Sequence, residues 1–248
     1  DLLALYSFTG GVAKYVQLLI DAGATTKELM LHQIVKADSV FLTEGKAILI
    51  EEFGKDYGIY FSILSAIARG KTSRSEIENN IGKEIGGYLT KLEADYEIIT
   101  KKQPLFAKSS TKNVRYSISD NFFTFWFRFI YKYNYILEIE GYDKVIKIIE
   151  RDYETYTGLM LERYFKQVLI AEQEYTRIGG WGDRKGENEI DMIAENELDD
   201  KAVFFEVKRK AENIDLDVLK AKAQAFLKST GEFKDYDIAY KGLSMADM

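Results

Sequence analysis

The residues best suited to chemistry lie in the C-terminal third of the chain. Over 188–194, apolar Ile190, Met192 and Ala194 alternate with Asp191 on the opposite register, and 202–208 reads AVFFEVK. Both runs have the alternation of strands, and the polar segment 195–200 between them is turn-like, which predicts an antiparallel hairpin. With the turn centred between Leu198 and Asp199, Asp191 faces Glu206 and Glu189 faces Lys208. Opposed residues stand about 5 Å apart, and two carboxylates that close repel. A divalent cation between them removes the cost, and all-oxygen ligation suits Mg2+ or Mn2+. Period two places Glu206 and Lys208 on one face and Val207 on the other. Asp191 and Glu206 are therefore candidate metal ligands, and with Lys208 they are candidate catalytic residues. A metal held there polarises a scissile phosphate and lowers the pKa of bound water. Lys208 then orients that water or offsets developing charge. A bulge or longer loop would shift this register by one residue, and a hairpin with ordinary surface charges has the same composition.

The rest of the composition narrows the field. The chain has 248 residues, no Cys, one His, one Pro and a formal net charge of −6. Without Cys there are no disulfides, thiol nucleophiles, Cys-type zinc sites or iron–sulfur clusters. His32 lies far upstream in a helical region and reads as packed or surface, so no Ser/His/Asp triad is expected. No G-x-x-x-x-G-K-[ST] loop is present, so ATP hydrolysis is not expected of these residues. Gly179-Gly180-Trp181-Gly182 has no following Lys-Ser/Thr and reads as a turn. No window approaches 18 consecutive apolar residues, so no membrane partner is expected. The N-terminus lacks a basic leader and starts within an apolar pattern without Met. The expectation is a piece of a longer cytoplasmic protein.

These candidates must be positioned by the elements around them. Residues 1–52 read as a helical bundle, broken at Gly10-Gly11 and at Gly23. Residues 53–120 read differently. Tyr60, Ile63, Leu64 and Ile67 share a helical face, Thr72-Ser73 offers an N-cap, and Ile85, Leu89 and Leu92 mark a third helix. The pair Gly86-Gly87 marks either a close backbone approach or that helix's true start. Strands around 97–100 and 114–118 follow, which is the order of a winged helix–turn–helix. From Ile98 to Ser119 the basic residues are Lys101, Lys102, Lys108, Lys112 and Arg115, with no acid. These five are candidate nucleic-acid contacts, since each cation displaces condensed counterions; a solvated wing or a protein-docking surface has the same pattern. Residues 121–130 are nearly apolar all round, as in a buried helix at a junction, 121–150.

Several motifs together resemble a known family. An Asp followed by E-V-K on a hairpin is similar to the PD-(D/E)XK, restriction-endonuclease-like superfamily. The whole chain resembles the C-terminal half of archaeal-type AAA+ ATPases. The motifs are GGVAKY at 10–15, with Ala13 in place of the family's Pro, YSISDNFFTFWFRF at 116–129, RIGGWG at 177–182, Glu189-Ile190-Asp191 and Glu206-Val207-Lys208. The resemblance implies an α+β multidomain chain: a helical ATPase-lid remnant (1–52), a winged helix–turn–helix (53–120), a helical junction (121–150) and an α/β nuclease-like domain (151–248). It implies a helix at 152–172, strands at 174–181 and 235–241 flanking the hairpin (188–208), and a helix at 215–229. It adds Glu162, on the helix before the sheet, and Gln224, on the helix after it, to the catalytic candidates; Gln224 also reads as an ordinary surface glutamine.

Three functions follow as expectations. The first is a DNA-binding, Mg2+- or Mn2+-dependent nuclease region driven by an ATPase domain outside these residues, where any ATP would bind. The second is a catalytically inactive nucleic-acid- or partner-binding module that regulates that ATPase. The third is an oligomerisation domain. DNA, the chain's own ATPase domain and a second copy of the chain are the corresponding partners. The acidic excess falls entirely in residues 121–248, which hold 25 acidic and 19 basic residues. Asp183, Glu187, Glu195, Glu197, Asp199 and Asp200 oppose a phosphate backbone there unless metal, Lys or Arg offsets them.

Overall fold

The computed structural model describes residues 1–107, 114–183 and 188–248, which divide into two compact units. The chain is mixed α and β. The first unit holds residues 1–102 and 114–153. Its opening helices are α1 (Leu2–Thr9), α2 (Ala13–Asp21), α3 (Lys27–Ile34) and α4 (Val40–Phe53). Gly10 closes α1 in the left-handed region at φ 66°, where the missing side chain costs nothing. Helix α3 has no counterpart among the expected elements. Thr26 caps it by accepting the Leu29 N–H, and Met30, Leu31 and Ile34 are buried.

Next come α5 (Tyr57–Ala68), α6 (Arg74–Ile81) and α7 (Gly86–Ala94), then the strands β1 (Ile99–Lys102) and β2 (Arg115–Ile118). The N-cap expected at Thr72-Ser73 is a full capping box, with Ser73 and Glu76 each satisfying the other's backbone N–H. Gly86 is the first residue of α7, so the glycine pair marks the helix start. The strands pair antiparallel from Ile99↔Ile118 to Lys102↔Arg115.

The aromatic run at 121–130 is buried, as its composition predicts. It begins as α8 (Asn121–Phe125) and continues as a π-helix, Trp126–Tyr131. Two motifs far apart in sequence meet around it. Tyr15 lies on Phe122 with ring centroids 4.2 Å apart, and the Asn121 amide donates to the Tyr6 carbonyl at 3.3 Å. A Cβ on Gly10 would stand 3.2 Å from the Asp120 carboxylate. The short helix α9 (Asn134–Leu137) follows.

Helix α10 runs over Tyr142–Glu172, 31 residues or about 46 Å. It begins ten residues before the expected 152, because buried Val145, Ile146 and Ile149 extend its apolar stripe N-terminally. From Glu154 onward it belongs to the second unit, which also takes in residues 103–107. The remaining elements are β3 (Arg177–Gly182), β4 (Glu189–Asn196), β5 (Lys201–Val207), α11 (Leu216–Thr230) and β6 (Asp237–Leu243). The sheet order is β3-β4-β5-β6. Its first two pairings are antiparallel and β5–β6 is parallel, with α11 in the crossover. Leu219, Ala223 and Phe226 of α11 form one core with Trp181, Ile190, Ile193, Ala202 and Phe204 of the sheet.

The stretch 179–182 is strand and not the expected turn. Its glycines answer to neighbours distant in sequence: a Cβ on Gly179 would lie 2.8 Å from Leu105 Cδ1, and the Leu105 N–H donates to the Gly180 carbonyl at 2.8 Å. Residue 105 thus pairs one backbone group on the outer side of the edge strand β3. Among the described residues, no helix is long and apolar enough to cross a membrane.

Candidate functional site

The β4–β5 ladder runs from Asn196↔Lys201 to Met192↔Phe205, the register that the centred turn predicts. Beyond that pair the Asp191 carboxylate takes over, and its Oδ2 accepts the Val207 N–H at 2.8 Å. The side chain thereby satisfies a backbone donor at the end of the sheet.

A bulge aims that side chain. Between β3 and β4, Gly179 pairs with Ile193 and Trp181 with Ile190. Two steps on β3 therefore match three on β4, and the extra residue falls at Asp191-Met192, opposite Gly180. Bulges of this kind re-aim a side chain out of strict alternation. The backbones crowd here: a Cβ on Gly180 would stand 3.2 Å from the Asp191 carbonyl oxygen and 3.4 Å from that of Ile190. Composition singled out this glycine only as part of a turn; its placement within a strand, next to Asp191, is the signal of its role.

Glu206 follows Ala202 and Phe204 on the face that α11 covers, and it is 5% exposed. Its Oε2 accepts the N–H of Asp215 at 2.8 Å. Asp215 is itself the N-cap of α11, accepting the N–H groups of Asp217 and Val218. Sequence reasoning passed over Asp215, although an Asp directly before a helical run is a capping signal.

Lys208 joins the two acids. Its ammonium lies 3.4 Å from Glu206 Oε1 and 3.9 Å from Asp191 Oδ2. One cation within 4 Å of both carboxylates offsets the repulsion that their proximity creates. The structure therefore gathers Asp191, Glu206 and Lys208 in one place.

The other candidates lie on other elements. Glu162 is half-buried on α10 between buried Leu161 and Phe165. One turn on, burial pushes the Lys166 ammonium below the usual lysine range. Among the described residues, no three His, Cys, Asp or Glu side chains gather as a metal-binding group. Gln224 is exposed, nine residues beyond Asp215 and so about 13 Å farther along α11. Of the basic ribbon, Lys101 and Lys102 are exposed on β1. Arg115 on β2 is ion-paired with Glu76 at 3.0 Å. Lys108 and Lys112 lie outside the described residues, as does Glu187 of the acidic surroundings.

No solved structure matches the chain. A protein of Methanocaldococcus jannaschii, described as uncharacterized, is 32% identical over 239 residues, 92% of this chain and 52% of that protein. The chain thus spans about half the length of the curated relative it matches. Residues 126–224, which include Asp191, Glu206 and Lys208, match a family described as archaeal and bacterial proteins of unknown function.

Proposed function

We propose that the second unit is a nuclease-like module of the PD-(D/E)XK type that hydrolyses phosphodiester bonds with Mg2+ or Mn2+. The observation that carries the reading is the shared ammonium: Lys208 stands within 4 Å of both Asp191 and Glu206 at the end of the β4–β5 ladder. The order helix, three antiparallel strands, helix, parallel strand supports it as well.

The donor set fits a hard divalent cation. Two carboxylates leave most coordination positions to water and phosphate oxygens, as Mg2+ prefers. Asp191 and Glu206 would hold the ion, which when bound polarises the phosphate and acidifies a water. The chain's own groups do the rest. The Val207 and Asp215 N–H groups fix the two carboxylates. Lys208 keeps their charges together without metal and offers a compact cation to developing negative charge.

We read helices α5–α7 and the β1–β2 ribbon as a winged helix–turn–helix that engages DNA, with Lys101 and Lys102 as its exposed cations. We read the whole chain as the C-terminal region of an archaeal-type AAA+ ATPase. The relative's roughly twofold greater length leaves room for such a domain.

The test is cleavage of plasmid and branched DNA with Mg2+ or Mn2+, comparing the chain with Asp191→Asn and Lys208→Ala. Metal-dependent cleavage lost in both variants supports the reading. No cleavage, or cleavage untouched by both, overturns it and leaves a non-catalytic binding module. For the ribbon, a double Lys101→Glu, Lys102→Glu variant is expected to weaken salt-dependent DNA binding; unchanged affinity removes the winged-helix role.

A further inference from the structure

The segment that follows β1 enters the core of the second unit. The Leu105 N–H bonds the Gly180 carbonyl at 2.8 Å, and the Leu105 side chain fills the space left by Gly179. Phe106 has φ 59°, a conformation that a bulky residue keeps only when its surroundings impose it. Those surroundings are specific. Its ring centroid is 5.3 Å from that of Phe233, itself at φ 59°, and 6.1 Å from that of Phe226. The Arg177 guanidinium lies over the ring at 4.8 Å. Arg177 is held by buried Glu195 at 3.3 Å, which accepts the Tyr236 hydroxyl at 3.1 Å.

From this anchorage to the carboxylate cluster is a short path. Gly180 receives the Leu105 hydrogen bond on its carbonyl, and its Cα faces the bulge that aims Asp191, where a Cβ would meet the Asp191 carbonyl oxygen at 3.2 Å. We propose that residues 103–107 are a strap that presses β3 against the bulge in β4 and so positions the Asp191 carboxylate. In sequence the strap directly follows the basic strand β1. Leu105 and Gly180 are positioning residues in this scheme. The functional meaning rests on Asp191 belonging to the proposed site; the mechanical coupling does not.

Amide hydrogen exchange read by NMR tests the coupling without any cleavage assay. The Val207 N–H, bonded to Asp191 Oδ2, reports the carboxylate, and the Leu105 N–H reports the strap. Gly179→Ala drives a Cβ into Leu105 and should unseat the strap. Exchange at both Leu105 and Val207 is expected to accelerate at least tenfold, with Ala202 and Phe204 of β5 unchanged. Adding Leu105→Ala to Gly179→Ala removes the collision while keeping the backbone donor, and should restore slow exchange at both sites. If Gly179→Ala does not fold, Phe106→Ala unseats the anchor instead and carries the same readout. Acceleration at Leu105 with Val207 unchanged overturns the proposal, as does failure of the double variant to restore Val207. An inactive wild-type chain with coupled amides would sink the nuclease reading alone.

Discussion

Replacing Lys208 by Met removes the shared cation while keeping a side chain of similar reach. The ammonium is 3.4 Å from one carboxylate and 3.9 Å from the other. At an effective dielectric of about 20 each contact carries roughly 4–5 kcal/mol of gross attraction, and in bulk water about 1 kcal/mol. The Lys208 side chain is 38% exposed, so solvent screens much of the larger figure. Against that, the Glu206 side chain is only 7% exposed and is left with an unbalanced charge. The net cost lies between that of an exposed pair and that of a buried pair stripped of one partner, about 2 kcal/mol. For a chain of this size that lowers Tm by about 4–8 °C. The assay is thermal unfolding followed by circular dichroism at neutral pH, with and without millimolar Mg2+. Divalent metal should recover part of the loss in Lys208→Met, because it neutralises the same two carboxylates, and should give nothing when Asp191→Asn is added. A Lys208→Met chain that melts within about 1 °C of wild type would refute the claim that this ammonium holds the acids together.

Gly45→Ala should destabilise by about 1–3 kcal/mol in a denaturant titration, although the same change in an open helix stabilises. Gly45 sits within α4, and a Cβ there would fall 2.5 Å from the Trp126 indole, whose N–H is bonded to Leu42. Ser73→Ala dissolves the capping box and should cost about 1 kcal/mol by the same measurement. Burial, reinforced by Glu44 and Asp120, pushes the Tyr15 hydroxyl up to about 12. The folded state then keeps its proton above the unfolded value, so stability should fall as pH rises from 10 toward 12. Tyr15→Phe should make that fall shallower, read from denaturation midpoints across the range.

The hairpin was legible because its register depends on local facts, alternation and a short polar turn, and both survive folding. The N-cap at Thr72-Ser73 and the buried aromatic run at 121–130 were legible for the same reason. The glycines of β3 were not. Gly179 and Gly180 resemble turn residues until Leu105 and the Asp191 bulge are brought against them, and nothing within a few residues announces either neighbour. Leu105 and Phe106 carry no periodicity, so nothing local sets this stretch beside the sole proline apart from the expected winged helix–turn–helix, although it packs against the core of the second unit. Arg115 counted toward a basic ribbon, and its exposed ion pair with Glu76 was not legible because the partner is distant in sequence. The placement of Gln224 came from resemblance alone, since an exposed glutamine on a helix carries no signal of its own.

The position of the strap within the chain bears on the order of assembly during synthesis. Phe106 leaves the ribosome 127 residues ahead of Phe233, the ring that completes its cage. At ordinary translation speeds that interval is about 6–25 s. Throughout it Leu105 and Phe106 are apolar groups without their burial site, and closing the contact requires a long-range search of the kind that slows folding. The second unit is therefore a late product that matures only after α11 and the turn following it have been made. A shortened protein starting at Glu154 would carry every residue of the carboxylate cluster and still lack the segment that braces it.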